Sequence, residues 1–194
     1  MNDTKSYILQ TRENLAKRLA GRFIAYLILF ALSCGGAFAF ASLYDCGGYF
    51  LAVSPVERGG FLRTVLSVIR CTLPSAVCLL AVYAAAHTIV SQAVSGAILV
   101  WRGLCLGCAG GLMGRGAVYS IDSSWSLALT LYFLASVVMM LLAAYSYIYS
   151  LCLCRAHSDG TAHIRREVAA EYLRLFLFLS GAVFAAGGAA VFLI

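Results

Sequence analysis

Read as hydrophobic and polar positions, the chain is a series of long apolar blocks separated by short polar stretches. Five blocks stand out, at residues 23–43, 71–90, 94–114, 125–154 and 175–194. Each approaches or exceeds the roughly 20 apolar residues that cross a ~30 Å hydrocarbon layer. A soluble domain of this size has no use for blocks of that length. The pattern predicts an all-α integral membrane protein of about five transmembrane helices, with short amphipathic interfacial helices.

The polar stretches refine this picture. Residues 1–22 form a basic N-terminal tail carrying Lys5, Arg12, Lys17, Arg18 and Arg22; residues 23–194 form a single helical membrane domain. Ile8, Leu15 and Leu19 recur at helical spacing, so the tail is either a short amphipathic helix or a solvated lead-in to the first span. Ala37-Phe38-Ala39 has the small-x-small form of a signal-peptidase site, but we read the first block as an uncleaved signal anchor. Residues 44–60 are loop-like, with Asp45, Gly47, Gly48, Pro55, Gly59 and Gly60. In 61–70, Phe61, Leu62, Val65, Leu66, Val68 and Ile69 make an apolar face, while Arg63 and Arg70, seven apart, project on nearly the same side of the helix. This segment is read as an interfacial helix, the alternative being the first turns of a long tilted span. The link between the second and third spans is very short, around 91–93, which makes them antiparallel neighbours. The fourth block is too long for an upright span, so it tilts or protrudes. Ile164, Val168, Tyr172 and Leu175 form a stripe at helical spacing that leads into the last block.

Composition and charge fit this reading. The chain is 62% hydrophobic and 11% charged, against about 25% charged in soluble domains. The net charge of +6 flanks the apolar blocks instead of forming one patch, which argues for membrane topology and against nucleic-acid binding. With the N-terminus inside, nine Lys and Arg lie in inner segments and four in outer ones. That imbalance predicts a cytoplasmic N-terminus and an external C-terminus.

The third block holds the most informative residues. Gly96, Gly103, Gly107, Gly110 and Gly114 recur at steps of seven, four, three and four, which gathers them on one helical stripe. Glycine lets membrane helices approach closely, so the stripe predicts a tight seam within the chain or between chains. Arg102 lies beside it, about seven residues or roughly 10 Å into the span. No carboxylate falls inside any span. Arg102 therefore snorkels to headgroups, bonds carbonyls or tyrosine hydroxyls, or meets an acidic group on another subunit or a substrate. His87, near the inner end of the second span, is an interfacial histidine or part of a polar pathway.

The other chemical candidates are bland. Cys105 and Cys108 form C-x-x-C, but without a second pair they are read as small packing residues. Cys46 and Cys71 are the two cysteines able to face an oxidising compartment, so a bridge between them is open. His157 and His163 lack metal-ligand spacing, and no metal or cofactor is expected. Ser95-Gly96 is similar to part of a rhomboid-type Gly-x-Ser-Gly, but Ala93 stands where the first glycine is needed and no later span holds a histidine base. There is no phosphate-cradling Gly-x-x-x-x-Gly-Lys. No enzyme activity is expected.

Leu99-Val100-Trp101-Arg102-Gly103, followed by Gly107 and Gly111, resembles a motif of the stage II sporulation protein M family. In that motif a basic residue precedes glycines at four-residue steps. The layout of residues 20–194 is also similar, the more specific part being 60–115. The resemblance implies a multi-spanning protein of the bacterial cytoplasmic membrane. It also implies work with membrane-associated partners, including a cell-wall hydrolase, in engulfment or envelope remodelling. It transfers no catalytic residue. The expectation is a non-enzymatic scaffold or assembly subunit that touches lipid and other membrane proteins, a homo-oligomer being compatible. The alternative is a transporter or channel subunit with an anion or lipid path, working as an oligomer or beside an ATPase.

Overall fold

The computed structural model describes residues 2–44, 60–88, 90–114, 123–158 and 162–193. Among them are five helices and no strand: α1 (Asn2–Leu43), α2 (Gly60–Ala86), α3 (Ser91–Gly114), α4 (Ser123–Ser158) and α5 (Ala162–Leu193). In a bilayer the backbone must satisfy its own hydrogen bonds, so long apolar segments fold as continuous helices. Four stretches are long and apolar enough to cross a membrane: Ala16–Leu43, Ser91–Gly114, Leu129–Cys154 and Val168–Ala186. Thr72–Ala86 in α2 is a shorter apolar stretch. The fold is that of an all-helical integral membrane protein.

The helices are longer than the apolar blocks, because backbone bonding continues where composition changes. α1 runs unbroken from the basic tail into the first span, and α2 continues from Gly60 through Pro74. The segment with Arg63 and Arg70 therefore shares one helix with the apolar stretch that follows; the two arginine side chains lie outside the described residues. So do those of Cys71, His157 and His163, and the whole of residues 45–59, including Cys46.

The α2–α3 link occupies residues 87–90 instead of 91–93. α2 closes with tight bonds: His87 N–H donates to the Ala84 carbonyl (3.3 Å) and Thr88 N–H to that of Ala85 (2.8 Å). Such i→i−3 bonds satisfy carbonyls that the helix end leaves open. The Thr88 hydroxyl adds a second bond to the Ala85 carbonyl (2.8 Å).

α1 packs most extensively on α3, and α4 on α5, while α2 closes the bundle against α3, α4 and α5. Leu99 of α3, Met139, Met140 and Leu142 of α4, Val82 of α2 and Val183 of α5 are fully buried at the centre. α1 and α5 instead expose large apolar residues such as Leu32, Phe40, Leu177 and Phe178. In water such faces would be a liability; against lipid they are the expected surface.

Candidate functional site

α3 carries two structural features on different sides. The first is the seam with α1. A β-carbon on Gly103 would lie 2.9 Å from both the Phe30 carbonyl oxygen and Ser33 Cβ. On Gly107 it would collide with the Cys34 carbonyl, and on Gly111 it would come within 2.7 Å of Ala41 Cβ. Residue numbers rise together on both helices, so α1 and α3 run parallel. Gly103, Gly107 and Gly111 oppose Ser33, Ala37 and Ala41, and both rows advance by four. This is close small-on-small packing within one chain.

The other predicted glycines sit differently. A β-carbon on Gly110 would lie 3.4 Å from the Phe38 ring and one on Gly96 3.6 Å from Leu29, ordinary contact distances at the edge of the seam. A β-carbon on Gly114 would meet nothing within 4 Å among the described residues, so Gly114 takes no part in this seam. A strict four-residue row drifts around the helix and passes through Gly111, bypassing Gly114. The α1 half of the seam was missed because serine and alanine at four-residue spacing are ordinary in apolar segments.

The second feature is Arg102, which is 2% exposed and points into the bundle. It does not snorkel. Its Nε–H donates to Ser136 Oγ of α4 (3.2 Å) and its Nη1 to Ser75 Oγ of α2 (3.2 Å). The guanidinium lies over the Tyr132 ring, 4.6 Å from its centre. Ser136 in turn donates to the Tyr132 carbonyl (2.9 Å), which fixes its oxygen as an acceptor for Arg102. One side chain thus ties α2, α3 and α4 together. A charge at membrane depth costs a few kcal/mol, and neutral hydroxyls plus a ring face offset only part of that. Glu171, the single acidic residue with a described side chain, lines a groove between α4 and α5 and forms no ion pair with Arg102.

A further polar layer sits at the end of the bundle that holds the α2–α3 turn. His87 is exposed; its Nδ1 is 3.0 Å from the Tyr83 carbonyl and its Nε2 3.5 Å from the Tyr149 hydroxyl. It packs edge-on against Tyr149, which stacks on Tyr172 at 4.1 Å. The Tyr172 and Ser146 hydroxyls share a 2.7 Å hydrogen bond. Across the bundle, Arg22 donates to the Tyr147 hydroxyl (2.8 Å) and also stacks over that ring. His87 and Arg102 are therefore in separate layers. Cys105 and Cys108 are both buried.

Fold and site together define a polytopic helical membrane protein in which Arg22, Arg102 and the Ser146–Tyr172 pair join helix to helix. No protein family, characterised protein or solved structure matches the chain.

Proposed function

We propose that the protein is a non-enzymatic membrane subunit, a scaffold or assembly component that acts through its helices. The observation that carries this reading is the enclosure of Arg102. A path for anions would have to reach that charge, yet it is 2% exposed and its described bonds go to Ser75 and Ser136. The α1–α3 seam supports the same reading, because it makes a rigid pair and leaves the outer faces of α1 and α5 for lipid or partners. We place the protein in a bacterial cytoplasmic membrane, N-terminus inside, on the distribution of its basic residues. The resemblance to the stage II sporulation protein M family adds the partner to look for, a cell-wall hydrolase or another membrane-anchored protein.

The test is a tagged purification from membranes in mild detergent, with mass spectrometry of what co-purifies. A membrane-anchored partner retained at constant stoichiometry is expected. Recovery of an ATPase instead, with ATP-dependent flux in vesicles, would replace the scaffold by a transport subunit.

A further inference from the structure

The facing sides of α4 and α5 do not close completely where the polar segment at 155–167 meets the membrane domain. They leave a groove of about 280 Å³. Tyr145 and Cys152 line it from α4, and Val168, Tyr172 and Leu175 from α5, with Glu171 in the same wall. The surface is mostly apolar, so inside a membrane it calls for a hydrocarbon chain, not water.

One charge, Glu171, lines this opening, and a second, Arg174, follows it on α5. Glu171 and Arg174 are both exposed and three residues apart on α5. Among the described residues neither takes part in an ion pair or hydrogen bond, with each other or with anything else. A neighbouring acid and base that leave each other unpaired, at the mouth of an apolar groove, complement a headgroup carrying both signs. Both lie just ahead of the last apolar block at residues 175–194, where headgroups sit.

We infer that the α4–α5 groove binds one aminophospholipid. Its acyl chain lies against Tyr145 and Leu175 at the deeper end of the groove, its ammonium meets Glu171 and its phosphate meets Arg174, and the headgroup covers Cys152 at the outer end. The carboxylate is the selective element: arginine attracts the phosphate of any phospholipid, but Glu171 favours an ammonium head over a glycerol or anionic one. The inference depends on membrane embedding and not on the scaffold reading.

Cys152 makes the site measurable. It is a half-buried thiol in the groove, while Cys154, exposed and outside its lining, is an internal control. Full-length protein in detergent is alkylated in the presence of short-chain phosphatidylethanolamine or of phosphatidylglycerol with the same chains. Alkylation is followed peptide by peptide. Phosphatidylethanolamine is expected to slow Cys152 at lower concentration than phosphatidylglycerol, by up to about fivefold, the range of an exposed ion pair. Cys154 is unaffected. Glu171→Gln abolishes the preference while chain-dependent protection remains; Arg174→Gln weakens both lipids alike. Both residues are exposed, so the variants keep the fold, which size-exclusion chromatography checks. Equal potency of the two lipids, an unchanged preference in Glu171→Gln, or no protection of Cys152 overturns the inference. So does protection by decyltrimethylammonium without protection by the lipid, which would reassign the groove to soluble cationic amphiphiles.

Discussion

At the scale of single residues, glycine and arginine on α3 do opposite things to the same helix. Gly103, Gly107 and Gly111 remove side chains so that backbones can meet; Arg102 inserts a long charged one to bridge a wider gap. The glycine costs follow from the space around each. Gly107→Ala is expected to lower stability by about 1–3 kcal/mol, as overpacking does, with Gly103→Ala and Gly111→Ala close behind. Gly114→Ala should leave the melting temperature unchanged or slightly raised, since its β-carbon meets nothing. Thermal unfolding in detergent, followed by circular dichroism, ranks the four; a Gly114 variant as damaged as Gly107 would contradict the seam. For Arg102, an isolated buried charge seldom gains net stability over an apolar group of similar size. Arg102→Met should therefore be neutral or up to about 4 kcal/mol more stable. Arg102→Lys keeps the charge but loses the planar fork that reaches Ser75 and Ser136 together, at about 1–3 kcal/mol. A lysine variant more stable than the methionine one contradicts this ordering. Sequence revealed the glycines because their spacing is local. It left the partner of Arg102 open because Ser75 and Ser136 are distant in the chain and neither residue type announces a partner.

At the scale of elements, the seam belongs to α1 as much as to α3. Ala37→Leu on α1 and Gly107→Leu on α3 each wedge the pair apart at one level, where Ala37 Cβ would be 2.8 Å from a Gly107 side chain. Once either is present the second finds the helices already separated. The double variant should thus lose less than the sum of the singles, with a coupling of about 0.5–3 kcal/mol. Strict additivity in the same unfolding assay would mean the two positions do not share an interface. The existence and type of all five helices were legible, because apolar blocks of this length have one stable form in lipid. Helix ends were not. The α2–α3 turn falls at His87 and Thr88, whose backbone and hydroxyl bonds close α2 earlier than hydropathy alone implies. The continuity of α2 across residues 60–86 is likewise set by backbone bonding, which composition does not report.

At the scale of the molecule, α2 decides the topology. At 27 residues it is about 40 Å long at 1.5 Å per residue, longer than a ~30 Å layer, and the parallel alignment of α1 and α3 requires it to carry the chain back across. Five crossings with the N-terminus inside put the turn at residues 87–90 inside and the C-terminus outside. Reporter fusions check this: a fluorescent protein active in the cytoplasm should glow at the N-terminus and the turn, and a phosphatase active outside should work at the C-terminus. A glowing C-terminal fusion combined with an active phosphatase at the turn would mean that α2 does not cross.

The parallel alignment of α1 and α3 also bears on how the chain is made. Two parallel helices cannot be joined by a hairpin, so everything between them must be synthesised and placed before they meet. During that interval the Ser33–Ala37–Ala41 edge of α1 sits in the bilayer with its intended neighbour still unborn. Any other helix with a smooth flank is then a competitor for it. A nascent chain stalled inside α2 is consequently the species most prone to wrong association, and the first to need an escort in the membrane.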